Sequence, residues 1–161
     1  MKKLLGIFGA CLIAAGTFSS FGFAAETKSP ALTEGCKSAY LMDFDSGECV
    51  YKENEHARMP IASVCKVMTL TLCFDAVERG ELSLDEEVEV SSNAAGMGGS
   101  QIFLESGYSY PLSQLVKSIV VCSANDSCVA VAERVSGSEE QFVADMNDKA
   151  EELGLSDTLF A

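Results

Sequence analysis

From Ala62 to Arg79 the chain reads ASVCKVMTLTLCFDAVER, a run apolar on nearly every helical face and stopped by Gly80. Val64, Val67, Met68, Leu72 and Ala76 lie along one stripe, while Leu70, Phe74 and Val77 fill the others. A helix of this kind is expected in the middle of a fold. Near its start, just after Pro60, stand Ser63 and Lys66, three residues apart and therefore on one helical face. A hydroxyl and an amine within reach of each other make a nucleophile beside a base. Ser-x-x-Lys arises by chance in many chains, and serine is also a favoured N-cap. A cap, however, has no need of a lysine on the same face, and this lysine sits in an otherwise apolar helix.

The chain has 161 residues, 48% of them hydrophobic, enough for a real core in one domain or part of one. Residues 1–24 read as a secretory signal peptide. Lys2 and Lys3 precede an uncharged apolar stretch to about Phe23, and Gly22 and Ala24 fit a small-x-small cleavage site. The alternative is an uncleaved membrane anchor, since the stretch approaches the ~20 residues a span needs. Too little apolar sequence precedes Cys11 for a lipoprotein signal. Residues 25–35, polar and carrying Pro30 and Gly35, read as a linker, and the functional domain is expected over 36–161.

Export would remove two of the 11 basic residues, leaving 9 against 24 acidic ones, a net charge of −15. That charge argues against binding nucleic acid or an anionic membrane surface. Six cysteines remain: Cys36, Cys49, Cys65, Cys73, Cys122 and Cys128. Their spacing holds no C-x-x-C pair, so buried free thiols are expected ahead of a disulfide framework. No metal site is expected with His56 as the only histidine, which is read as a surface residue.

Alternation over Tyr40, Met42 and Phe44, then Asp45-Ser46-Gly47, then Cys49-Val50-Tyr51 predicts a β-hairpin. After the apolar helix, Val88 and Val90 mark a short extended segment, followed by a Gly- and Ser-rich loop over 91–100. Three further helices are expected. The first opens at Pro111 with Leu112, Leu115, Val116, Ile119 and Val120 on one face. The second runs from Asn125 or Asp126 to about Val135, and the third has Ser138 and Gln141 as a capping box and Gly154 as its stop. Ser123-Ala124-Asn125 links the first two of these helices. Ser91-Ser92-Asn93 matches the same Ser-x-Asn pattern, but it lies at the edge of the glycine loop, whereas the former is held between apolar helices.

The segment from Met59 to Thr69, which contains Ser63-Val64-Cys65-Lys66, closely resembles the active-site helix of the serine D-alanyl-D-alanine carboxypeptidases, the low-molecular-mass penicillin-binding proteins. Similar resemblances hold for Gly99-Ser100-Gln101-Ile102-Phe103-Leu104, for Ser123-Ala124-Asn125-Asp126, and for Met146-Asn147-Asp148-Lys149-Ala150 with Leu153-Gly154-Leu155. Together they span roughly residues 36–161. The resemblance implies an α+β fold, an antiparallel sheet packed with a helical cluster as in penicillin-binding proteins and serine β-lactamases. It implies acyl transfer on peptidoglycan without cofactor or metal. Ser63 would attack the penultimate D-Ala carbonyl of a stem peptide ending in D-Ala-D-Ala, and Lys66, as an uncharged amine, would take its proton. Ser123 would relay a proton to the leaving amine, Asn125 would bind the substrate amide, and the Ser63 N–H would serve as an oxyanion donor. β-Lactams, which mimic the dipeptide, would acylate the same serine. Cys65 stands where the motif commonly has Thr. Two positions along a helix turn it ~200° from Ser63, so packing is the expected role, as it is for Cys122 and Cys128.

The family's third motif, Lys-Thr-Gly on a later strand, has no counterpart in these 161 residues, nor is the family's C-terminal membrane anchor evident. The sequence therefore reads as the front part of a longer protein, its fold incomplete and its activity alone poor, because loss of one oxyanion donor costs roughly 10²–10³ in rate. The hairpin would also keep an open apolar edge. Rival readings are a serine β-lactamase, weakened by Ser-Ala-Asn in place of Ser-Asp-Asn, a D,D-endopeptidase of the same superfamily, and an inert wall-binding fragment. An extracytoplasmic location follows from the signal.

Overall fold

The computed structural model describes residues 35–161. The expected signal peptide at 1–24 and nearly all of the linker lie outside the described residues. Two units divide the chain between Ala57 and Arg58.

In the first unit, β1 (Ala39–Met42) pairs antiparallel with β2 (Cys49–Glu53), Tyr40 facing Lys52 and Leu41 facing Tyr51, with a bulge between Leu41 and Met42. Asp43 makes the turn. Its Oδ1 accepts from the Ser46 N–H at 2.8 Å and the Ser46 hydroxyl at 2.7 Å, and Gly47 takes the left-handed conformation (φ 71°) that closes the loop. Those two bonds hold the Asp43 carboxyl below its usual pKa. The hairpin expected from alternation is present, and Tyr40, Leu41, Met42, Phe44 and Val50 are all exposed. His56 is also exposed, beside Glu55.

The second unit starts with a single 3-10 turn over Ala62–Cys65 and continues directly into α1 (Lys66–Glu78). The expected helix therefore exists, but its first four residues are wound more tightly and Ser63 lies in that turn. Its all-round apolar character does not translate into all-round burial. Lys66, Met68, Thr69, Cys73 and Ala76 face inward, whereas Val64 and Val67 are 63% and 65% exposed and Phe74 is exposed too. The lysine selects this face, because its amine finds acceptors only on the inward side.

After α1 come β3 (Glu87–Glu89), the short α2 (Ser92–Ala95) and β4 (Ser109–Pro111), then α3 (Leu112–Cys122), α4 (Asn125–Ser136) and α5 (Glu139–Glu152). β3 and β4 pair antiparallel, Val88 opposite Tyr110. The described strands thus form two separate two-stranded sheets. The class is mixed α+β, as expected, with helices predominating. No helix among the described residues is long and apolar enough to cross a membrane.

The main core gathers Cys73 and Ala76 of α1, Val88 and Val90, Leu112, Leu115 and Ile119 of α3, and Val129, Ala130 and Val131 of α4. Val120, expected on the inner face of α3, is exposed instead, and Ser118 takes a buried place. The Ser118 and Ser127 hydroxyls share a 2.6 Å hydrogen bond that joins α3 to α4. A second cluster, Met68, Ala132, Phe142, Met146 and Ala150, seats α5 against α1 and α4. Lys149 reinforces it by pairing with Asp75 at 2.8 Å and Glu152 at 2.9 Å. Asn147 clips the segment after α5 in place, donating to the Phe160 carbonyl and accepting from its N–H, both at 2.9 Å.

Only half of the expected capping box forms on α5. Ser138 Oγ accepts from the Gln141 N–H at 3.1 Å, but the Gln141 side chain turns forward to donate to Asp145. Ser138→Ala is therefore expected to cost about 1 kcal/mol, and Gln141→Ala only a few tenths, in urea unfolding monitored by circular dichroism. Equal costs would restore the reciprocal box.

Candidate active site

Ser63 sits on a surface cleft lined by Ala62, Ser63, Cys65, Lys66 and Asn125. It follows Ala62, whose φ of 44° places a non-glycine residue in the strained left-handed region. As second residue of the 3-10 turn, Ser63 has a backbone N–H with no acceptor available in its own helix. The hydroxyl is exposed, and the amine behind it is not: Lys66 is only 9% exposed.

Lys66 Nζ is surrounded by oxygen. It lies 2.6 Å from Asn125 Oδ1, 2.7 Å from the Ser123 carbonyl, 2.9 Å from Ser123 Oγ and 3.4 Å from Ser63 Oγ. The four sequence-predicted residues, Ser63, Lys66, Ser123 and Asn125, are thus brought together around one nitrogen. Ser123 reaches it with two atoms because it terminates α3 in the left-handed conformation (φ 54°), which turns the chain sharply into α4. Serine there carries strain that glycine would avoid.

Asn125 opens α4 and is held on three sides. Its Oδ1 accepts from Lys66, its Nδ2 donates to the Gly98 carbonyl at 2.8 Å, and its backbone N–H donates to Ser100 O at 2.7 Å. The Gly98 carbonyl can only accept, so the Nδ2 end of the amide must face the loop and Oδ1 must face Lys66. Gly99 (φ 81°) allows this approach, since a Cβ there would stand 2.8 Å from Asn125 Nδ2. Ser91-Ser92-Asn93, the rejected match, serves structure. Ser91 caps α2 by accepting from the Ala94 N–H at 3.0 Å, and Asn93 donates to Glu133 and Glu139.

Two groups near the site escaped the sequence reading. Gly98 supplies the carbonyl that fixes the Asn125 amide, and Asp126, wholly buried, gathers three backbone N–H groups on its carboxylate. An acid in the first turn of a helix is a legible signal, but its burial is not. No group of three or more metal-ligating side chains occurs among the described residues.

The cysteines divide differently from expectation. None of the six forms a disulfide, yet Cys36, Cys49 and Cys122 are exposed, Cys65 and Cys128 half-buried and only Cys73 buried. Packing is therefore not the role of Cys122, at the open end of α3. Cys65 borders the cleft and, with Thr69, Cys128, Phe142 and Met146, an apolar cavity behind it.

A hydroxyl beside a buried amine, with a second hydroxyl and a carboxamide completing the shell, makes a serine–lysine cluster on a mixed α+β scaffold. The chain belongs to the D-alanyl-D-alanine carboxypeptidase family, peptidase S11, whose profile matches residues 24–161. It is 42% identical over 164 residues to the D-alanyl-D-alanine carboxypeptidase DacF of Bacillus subtilis, covering 99% of this chain and 41% of the relative. Among solved structures it is similar to the D-alanyl-D-alanine carboxypeptidase DacD from Francisella tularensis (33% identity, TM-score 0.75, 77% of this chain and 30% of that one). Penicillin binding protein 6B from Escherichia coli is also similar (35% identity, TM-score 0.73, 77% and 41%). The chain thus spans about two-fifths of the length of the first of these relatives.

Burial raises the Cys73 thiol to about 11 and the Cys128 thiol to about 12, from 9.0. Because the thiolate is the reactive form, iodoacetamide at pH 8 is expected to alkylate Cys36, Cys49 and Cys122 in the folded protein and to spare Cys73 and Cys128, as read by peptide mass spectrometry. Unfolded thiols ionise near 9 and these two only at higher pH. Their contribution to stability is therefore complete below pH 9 and is lost as pH climbs through 11 and 12.

Proposed function

We propose that Ser63, Lys66, Ser123 and Asn125 are the acylation machinery of a penicillin-sensitive serine D-alanyl-D-alanine carboxypeptidase. Its substrate is a peptidoglycan stem peptide ending in D-Ala-D-Ala, met outside the cytoplasm after export on the N-terminal signal. The observation that carries this reading is the shell around Lys66. Two of its four neighbours, the Ser123 carbonyl and Asn125 Oδ1, can only accept hydrogen bonds. A neutral amine commits its two hydrogens to them, and its lone pair is left facing the hydroxyls of Ser63 and Ser123. The amine is thereby oriented as a general base towards a nucleophile it does not yet grip, since 3.4 Å exceeds a tight proton-transfer contact and such contacts shorten when substrate binds.

Reaction follows from these positions. Ser63 Oγ adds to the carbonyl of the penultimate D-Ala while its proton passes to Lys66 Nζ, and the developing oxyanion meets the Ser63 N–H at the start of its turn. The proton moves on through Ser123 Oγ, 2.9 Å from Nζ, to the departing D-Ala amine. Water then attacks the ester, returning Ser63. The second proton of Asn125 Nδ2, beyond the one given to Gly98, supports its contact with the substrate amide. A β-lactam, presenting a strained amide to the same hydroxyl, stops at the ester.

In the longest form its gene encodes, the protein is expected to bind one fluorescent penicillin per molecule, with the mass adduct on Ser63. Ser63→Ala abolishes labelling, and Lys66→Ala slows acylation by ~10²–10⁴. An adduct on any other residue rejects the assignment. The 161 residues alone, which lack Lys-Thr-Gly, are expected to label weakly.

A further inference from the structure

The proposed reactive groups lie on the 3-10 turn, on α1 and on the α3–α4 link, and a further buried polar anchor nearby belongs to none of them. Asp126 is 0% exposed and ionisable, and every partner recorded for its carboxylate is a backbone amide. Oδ2 accepts from the N–H of Ile102 and from that of Leu104, both at 3.1 Å, and Oδ1 accepts from the Ser127 N–H at 2.9 Å. Between the two loop donors stands Phe103, at φ 61° and 76% exposed. A left-handed residue between two amides turns both N–H groups to one side, making a concave anion-binding nest. The nest is filled from within the chain by Asp126, and its carboxylate offsets the strain at Phe103.

The same loop is tied to the preceding residue. Ser100 O and Gly98 O receive the Asn125 backbone and side-chain N–H groups, and Gly99 leaves no room between loop and amide. Asn125 in turn presents Oδ1 to Lys66. A chain of contacts therefore runs from a buried carboxylate, through the loop over residues 98–104, to the carboxamide that orients the amine.

We infer that Asp126 is a positioning residue for the acylation step. By binding the amides of Ile102 and Leu104 it fixes the 98–104 loop, the loop fixes the Asn125 amide, and that amide aims Lys66 at Ser63. This rests on the function proposed above. Asp126 touches none of the reacting atoms, and its effect is confined to geometry. Replacing it with asparagine removes the charge and sets an N–H donor against backbone donors, so one arm of the nest opens.

The test uses the longest encoded form and fluorescent penicillin, with acylation rate constants measured for wild type, Asp126→Asn, Gly99→Ala and the double variant. Gly99→Ala displaces the Asn125 amide from the loop side without altering the carboxylate, and it lies on the surface. Each single variant is expected to acylate Ser63 ~10- to 100-fold more slowly, the scale of an ångström-sized misplacement. The double variant is expected to be no more than about two-fold slower than the slower single one, because both act through Asn125. Hydrogen exchange at Ile102 and Leu104 should accelerate in Asp126→Asn while amides of the α3 core remain protected, a readout independent of activity. Wild-type rates in Gly99→Ala overturn the inference whether or not Asp126→Asn folds, as does full multiplication of the two effects. A wild-type protein that fails to label at Ser63 overturns the proposed function instead, and with it this role for Asp126.

Discussion

A buried amine is the constraint around which the second unit is organised. Taking a lysine nitrogen out of water without partners costs several kcal/mol, and from its own turn and helix Lys66 gains only the Ser63 hydroxyl, at 3.4 Å. Its partners come from 57 and 59 residues away, at the junction of α3 and α4. The α1–α4 packing and the polar shell are therefore one condition. The apolar contacts of Cys73 and Ala76 with Val129, Ala130 and Val131 set the spacing at which Nζ meets Ser123 and Asn125, and the shell makes burial of Lys66 tolerable. A shift of α4 along α1 would break the shell before it broke the core.

Strain collects around that shell. Among the described non-glycine residues four have positive φ, and three of them, Ala62, Phe103 and Ser123, lie beside Ser63, on the loop that holds Asn125, and against the Lys66 amine. The fourth, Asn54, follows the hairpin and is a residue type that accepts this conformation readily. Each departure turns polar atoms toward a place where a relaxed chain would not put them: the Ser123 carbonyl and hydroxyl toward Lys66, the amides of Ile102 and Leu104 toward Asp126. Costs of order 1–3 kcal/mol per residue persist where the surroundings over-determine the conformation, as α3 and α4 do on either side of Ser123.

Much of this was legible in the residues. The helix boundaries near Gly80, Pro111, Gly137 and Gly154 follow from stop and start chemistry that acts within a few residues, and the structure keeps them. The Ser63–Lys66 face is a consequence of helical pitch, and the preference for Ser123-Ala124-Asn125 over Ser91-Ser92-Asn93 followed from rigidity of the flanking helices. What periodicity could not supply was the choice of buried face on a helix apolar all round. Val64, Val67 and Val120 are as hydrophobic as their buried neighbours, and only tertiary contact separates them. The burial of Asp126 and the use of Gly98 were hidden for the same reason. Both depend on a loop returning to a helix start more than twenty residues later in sequence. Cys122 was misjudged because flanking a buried motif does not bury a side chain at the free end of a helix.

The Lys66 shell also distinguishes the two serines. Besides its two obligate acceptors, Lys66 Nζ meets two hydroxyls, at 2.9 and 3.4 Å. The nearer contact, to Ser123, holds Lys66 in place and leaves Ser63 Oγ loosely engaged and exposed. The difference of half an ångström between the two hydroxyls makes Ser123 Oγ the closer partner of Nζ and Ser63 Oγ the looser and more accessible one.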